Sequence, residues 1–191
     1  MTSEEVEAFR SEICATAQRL FIEEGYAKVG LRAIGAEIGI TATALYRYFP
    51  GGKEEILATV RSSVFTRFAQ LLEEASATGP DTGQRLRQQG HTYIQFAIEH
   101  PDEYRLMFDQ VQQGDWPYLQ AASNRARDAL YSLFDELLAE GYIDGDACAA
   151  THAYWAALHG AVLLHTSQQL NLGIDIDDLL ETILNFTLKN K

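Results

Sequence analysis

Apolar residues recur at three- and four-residue spacing from the start of the chain. Val6, Phe9, Ile13, Ala17, Leu20 and Phe21 share one face of a predicted first helix. Gly25 is placed to end it, because the residue after a helix commonly turns left-handed. A short helix with Leu31, Ile34 and Ile38 on one face follows, and Gly39 breaks it. Thr41 can N-cap a second short helix carrying Leu45 and Phe49. Pro50-Gly51-Gly52 closes that element. A longer helix is predicted from about Lys53 to Ala77, and Gly79-Pro80-Asp81 marks a module edge. Helical periodicity then covers Thr82 to Glu99, Pro101 to Gln113, Trp116 to Glu140 and Gly145 to Leu170. A last helix, Ile176 to Lys189, buries Ile176, Leu179, Leu180 and Ile183, with Phe186 or Thr187. No stretch alternates with a period of two, and no repeat or low-complexity tract is present. The fold class is all-α.

Leu31 to Phe49 has the layout of a helix-turn-helix. On a wheel of about 100° per residue, Leu45 and Phe49 point inward together. Thr43, Ala44 and Arg47 occupy the opposite arc, flanked by Tyr46 and Tyr48. Small or donor-bearing side chains then face base edges, while aromatic hydroxyls reach the phosphates on either side. A surface helical hairpin without a partner is the alternative. The 191 residues carry 15 basic and 27 acidic side chains, a net charge of -12. That balance argues against coating nucleic acid or anionic membrane nonspecifically. Between Ile38 and Lys53, however, there are two basic residues and no acidic one, which leaves room for a local patch.

Composition narrows the setting. With 47% hydrophobic and 22% charged residues the chain is globular, sized for one domain or a small module fused to a larger one. Cys14 and Cys148 cannot form a disulfide framework, and no signal peptide opens the chain, so a cytoplasmic location is expected. Both thiols are read as buried and inert, with Cys148 as a redox sensor the alternative. The uncharged stretch from Ala147 to Ile174 is interrupted by Thr151, His152, His159, His165 and Asn171, so no membrane span is expected.

Gly25-Tyr26, Leu31-Arg32-Ala33-Ile34, Ile38-Gly39-Ile40-Thr41 and Leu45-Tyr46-Arg47-Tyr48-Phe49 with Lys53 resemble the N-terminal DNA-binding domain of the TetR (tetracycline-repressor) family. His100-Pro101-Asp102-Glu103-Tyr104-Arg105-Leu106-Met107-Phe108 and Trp155-Ala156-Ala157-Leu158-His159-Gly160 resemble the subset with a Trp-His-Gly C-terminal domain. The resemblance implies a three-helix DNA-binding domain over residues 1–55, its helix-turn-helix at about 30–49. A helical ligand-binding and dimerisation domain would fill 56–191. It also implies a cytoplasmic homodimeric regulator, usually a repressor, released from a palindromic double-stranded operator by a small molecule. Tyr46, Tyr48 and Lys53 fall on phosphate-holding positions, and Lys53 opens a helix whose backbone N–H adds a contact. Arg32 falls on a base-reading position of the family; Thr43 and Arg47, on the outward arc, are the other expected readers, with Thr41 capping and contacting DNA. For Arg32 a surface salt bridge to Glu37 is the alternative. Three features depart from the family pattern: Gly30 in place of a hydroxyl cap, Ala42 and Ala44 without hydrogen bonds to offer, and one extra residue in Pro50-Gly51-Gly52.

The remainder must supply dimerisation and a pocket. A helix without charge on any face, from Ala147 to Leu170, is suited to burial on two sides, within its own subunit and against a partner. A monomer with this helix as central core is the alternative. Tyr93, Phe96, Tyr104, Met107, Phe108, Tyr131, Phe134, Trp155 and His159 are candidate contacts for an apolar or aromatic effector, with ordinary core as the other reading for each. The helix from Lys53 to Ala77 joins both modules and is the expected relay. No metal or cofactor is expected, since His152 and His159 lie two turns apart without a nearby carboxylate or thiol to complete a shell. No nucleophile elbow, P-loop, dinucleotide glycine motif or Cys-x-x-Cys is present, so enzymatic activity is not expected. The rival function is a helical dimeric adaptor or small-molecule-binding protein without DNA binding.

Overall fold

The computed structural model describes residues 2–171 and 173–189, and among them there are helices and no strand. Among the described residues ten α-helices run in chain order: α1 Ser3–Leu20, α2 Leu31–Glu37, α3 Ala42–Leu45, α4 Gly52–Ser76, α5 Thr82–Glu99, α6 Pro101–Phe108, α7 Pro117–Tyr131, α8 Phe134–Ala139, α9 Ala147–Thr166 and α10 Ile176–Thr187. A capping box starts α1. The Thr2 hydroxyl accepts from the Glu5 N–H at 3.2 Å, and the Glu5 carboxylate accepts from the Thr2 N–H at 2.7 Å. At its other end α1 loosens into a π-helical turn, Phe21–Gly25, and Gly25 stops it with φ +88°.

The chain divides into two compact units that interleave along the sequence. The first ends at Phe65 and takes in Arg105–Ser123; the second comprises Thr66–Tyr104 and the chain from Asn124 onward. The core of the first is built from Ile13, Ala17, Leu20, Phe21, Val29, Ile34, Leu45, Phe49, Ile56, Leu57, Val60 and Leu106. The apolar stripes read from spacing on α1, α2 and α3 therefore meet one another and the start of α4. In the second unit α9 packs against α5, α8 and α10. Tyr93, Tyr154, Leu158, Leu180 and Leu184 lie fully inside.

Three expectations need correction. The stretch from Trp116 to Glu140 is two helices, α7 and α8. The Ala129 carbonyl near the end of α7 accepts from the Gln89 amide at 2.9 Å and the Ser132 hydroxyl at 2.8 Å, and the helix is interrupted there. The expected helix from Pro101 to Gln113 stops at Phe108. Cys148 is exposed, because it falls in the first turn of α9, directly after the Asp146 cap that accepts from the Ala149 N–H at 2.6 Å. Cys14 is half-buried, and burial pushes its thiol up to about 11, which keeps it protonated and unreactive. No helix among the described residues is long and apolar enough to cross a membrane.

Candidate nucleic-acid interface

The turn between α2 and α3 is set by close approach. A Cβ on Gly35 would stand 2.5 Å from the Ile40 carbonyl oxygen, so glycine alone lets the chain fold back there. Thr41 then caps α3, its hydroxyl accepting from the Ala44 N–H at 3.2 Å. After α3 the chain tightens into a turn through Tyr48, with the Phe49 N–H donating to the Leu45 carbonyl at 2.9 Å. Leu45 and Phe49 are both 0% exposed. Pinning these two inward turns Thr43, Tyr46 and Arg47 to solvent.

The cationic groups divide into open and held. Arg32 and Arg47 are exposed and make no ion pair among the described residues. Glu37, the alternative partner for Arg32, is instead paired with Arg19 at 2.7 Å. Lys53 is held: its ammonium lies 3.9 Å from the Tyr26 ring centroid and donates to the Tyr26 carbonyl. Burial lowers its pKa, opposed by the Glu54 charge. The Tyr26 hydroxyl donates to Glu54, and its pKa is raised, first by burial and then by that carboxylate. Tyr46 is 52% exposed, whereas Tyr48 is half-buried and packs edge-on to Phe9 at 4.9 Å. Arg10 is a residue that spacing did not single out. It donates to the Tyr48 carbonyl and lies 4.1 Å from the Phe49 ring centroid, bracing the turn from α1. A basic residue on a helix flank gives no signal of that role in the sequence.

Four of the expected ligand contacts come together in the second unit as one hydrogen-bonded chain. The Trp155 indole N–H donates to the Tyr93 hydroxyl at 3.2 Å, Tyr93 meets the Tyr104 hydroxyl at 2.8 Å, and Tyr104 meets His159 Nδ1 at 2.5 Å. Indole can only donate, so every group is satisfied when Tyr93 donates to Tyr104 and Tyr104 donates to Nδ1. The His159 ring proton then belongs on Nε2. Burial raises the Tyr93 pKa to about 12, against the lowering effect of its bonds to Tyr104 and Trp155. Phe96 reaches the chain through Phe68, with centroids at 4.8 Å and a further 5.3 Å from Phe68 to Tyr93.

The other candidates stand elsewhere. Phe134 packs on Tyr154 at 5.6 Å, and Tyr131 bonds His152 at 2.8 Å. Met107 and Phe108 belong to the first unit, where Phe108 packs on Phe65 at 5.9 Å. A groove of about 500 Å³ in the second unit runs along α9 and α10, lined by Ala153, Tyr154, Ala157, Ile183 and Phe186 among others. Among the described residues no group of three or more His, Cys, Asp or Glu side chains is arranged to hold a metal ion.

Residues 13–60, which contain this helix-turn-helix, match the bacterial regulatory proteins of the tetR family, and residues 86–186 match the tetracyclin repressor-like C-terminal domain. The chain belongs to the tetR family. Its all-helical fold, with an N-terminal helix-turn-helix and a helical C-terminal domain, is that of a DNA-binding transcription regulator. Among curated tetR-like relatives, the nucleoid occlusion factor SlmA of Vibrio campbellii is 26% identical over 132 residues, 67% of this chain and 62% of that protein. The match thus spans less than two-thirds of that relative. A protein of unknown function from Rhodococcus sp. RHA1 shares the fold with TM-score 0.81 at 23% identity, covering 93% of this chain and 92% of the other. A TetR family transcription regulator from Marinobacter aquaeolei shares it over 100% of both chains, with TM-score 0.74 and 18% identity.

Proposed function

We propose that this tetR-family chain is a ligand-released transcriptional repressor that binds a palindromic operator as a homodimer in the cytoplasm. The observation that carries the reading is the open face of the helix-turn-helix. In a chain of net charge -12, Arg32, Thr43 and Arg47 each stand exposed, with no acidic partner among the described residues. Arg32, Thr43 and Arg47 read bases; Thr41, Tyr46, Tyr48 and Lys53 hold the backbone. DNA binding belongs to residues 1–55, and ligand binding and dimerisation to 56–191.

Exposed apolar side chains on uncharged α9 and on α10 support the dimer: Leu163 is 48%, Leu164 43% and Phe186 89% exposed. The joined Trp155, Tyr93, Tyr104 and His159 support an effector site, in keeping with the Trp-His-Gly subset suggested by Trp155, His159 and Gly160. A bound effector exchanges its own polar group for one link of that chain. It releases DNA only by favouring the DNA-incompetent state, and a coupling of ~1–3 kcal/mol lowers operator affinity about 5–150-fold.

The test is selection of bound sites from random double-stranded DNA by the full chain, followed by retardation of the selected site. A palindromic consensus bound by a dimer, lost in Leu163→Glu and in the Arg32→Ala, Arg47→Ala pair, is expected. An adaptor without DNA binding would enrich no sequence, and a monomer that binds one half-site as tightly would remove the dimer from the reading.

A further inference from the structure

The first compact unit holds a charge without a counter-charge. Arg61 lies on α4, four residues after Leu57 and four before Phe65, on the face that enters the core. It is only 9% exposed. One guanidinium NH₂ donates to the Met107 carbonyl at 2.7 Å and the other to the Gln112 side-chain oxygen at 3.3 Å. Nε is buried with no hydrogen-bond partner, and no carboxylate pairs with the group among the described residues. Buried charges are ordinarily paired, and the guanidinium fork is shaped for a carboxylate. Burial here lowers the Arg61 pKa with no opposing charge to restore it.

A groove of about 270 Å³ opens beside it, lined by Arg61, Phe65, Gln112, Trp116, Leu119 and Ser123, with others. Its walls are fixed by their own bonds. The Gln112 amide donates to the Glu54 carbonyl at 3.1 Å, and the Trp116 indole N–H donates to the Gln113 carbonyl at 2.7 Å. The Trp116 ring lies so close over Gly51 that a Cβ there would stand 2.5 Å from it. Asp115 is exposed in the lining and does not pair with Arg61. Its charge disfavours a multiply charged anion more than a singly charged one. The volume falls just below that of sites for drug-sized ligands, which limits the occupant to a small molecule.

We infer that this groove binds a small organic monocarboxylate, its head on Arg61 and its apolar body among Phe65, Trp116 and Leu119. All these residues belong to the first unit, and none to the Trp155–Tyr93–Tyr104–His159 chain. The carboxylate supplies the negative charge that the neutral Met107 carbonyl and Gln112 side chain do not.

Benzoate is the probe, with benzamide as its neutral isostere and inorganic phosphate as an anion without a body. Calorimetry on the full chain should show one benzoate bound, with benzamide and phosphate each at least about tenfold weaker, and benzoate should raise the melting temperature in a saturable way. Arg61→Gln should weaken benzoate about tenfold or more. Because that change also removes the bond to Met107, Ser123→Trp is the second variant: it fills the groove, leaves the guanidinium bonds in place and should also abolish binding. Benzamide or phosphate binding as tightly as benzoate, benzoate binding unaltered in a folded variant, or no saturable binding up to about 10 mM each overturns the inference.

Discussion

The helix-turn-helix and the aromatic chain of the second unit use polar side chains in opposite ways. Arg32, Thr43 and Arg47 end in solvent with no ion pair among the described residues, while Tyr93 and Tyr104 bond each other inside the core. The open face is held in place by what lies beneath it: Leu45 and Phe49 fully buried, Arg10 bracing the turn, Gly35 allowing the close approach. The closed chain is backed by Phe68, but its polar groups are spent on one another. A partner can meet the open face without displacing any protein bond. A ligand can enter the closed chain only by breaking one and replacing it.

The largest effect should come from removing the support under the open face. Leu45→Ala leaves a cavity where the side chain is 0% exposed, and should lower stability by ~2–5 kcal/mol in chemical denaturation. Operator binding should fall with it, since the exposed arc is aimed by that burial. Operator affinity unchanged in a clearly destabilised Leu45→Ala would break the link between the buried pair and the reading face.

On the closed side, Tyr93→Phe leaves the Trp155 N–H without its acceptor and should cost ~1–3 kcal/mol. The same variant should reshape the alkaline limb of stability. The folded-state pKa of Tyr93 is raised from its ordinary value near 10 to about 12. Its contribution is therefore complete below pH 10 and is lost as pH climbs through about 12, because the unfolded chain releases that proton first. Melting curves of wild type and Tyr93→Phe should accordingly converge between those two values. Parallel curves across the window would show that Tyr93 is not sealed from water.

How far the chain could be read from its sequence follows the same division. The helix-turn-helix was legible because its determinants are local: Leu45 and Phe49 one turn apart, Gly39 between the helices, Thr41 as the cap. The break between α7 and α8 was less so, because one of the two groups on the Ala129 carbonyl, Gln89, comes from far away in sequence. The aromatic chain was half legible. Spacing put Trp155 and His159 on one face of α9, but nothing in α5 or α6 announced that Tyr93 and Tyr104 would meet between them. The same spacing gave no way to part these from Met107 and Phe108, which the structure assigns to the other unit. The burial of Arg61 was legible, since its neighbours one turn away on both sides, Leu57 and Phe65, are apolar. Exposure of Cys148 was not legible, because an uncharged helix shows no polar face from which to infer it.

The open face itself can be sharpened by comparing a base reader with a phosphate holder. Arg32→Ala should cost ~1–3 kcal/mol at one base position and little on sites already altered there. That outcome is measured by competition among operator variants, and uniform weakening would reassign Arg32 to the backbone.

The smallest effect is expected at Lys53, where open and closed meet in one residue. Its ammonium is already engaged by the Tyr26 ring and carbonyl, so a phosphate must compete with bonds the protein supplies. A cation over an aromatic ring near the surface contributes only ~0.5–1 kcal/mol, which a phosphate contact can replace. Lys53→Ala should therefore weaken all DNA sequences alike and lower the slope of log affinity against log salt by roughly one unit. Lys53→Arg should restore that slope, since the longer fork keeps the charge. If Lys53→Ala leaves the slope unchanged yet lowers the melting temperature, the ammonium belongs to Tyr26 and the phosphate contacts are carried by Arg32, Tyr46 and Arg47 instead.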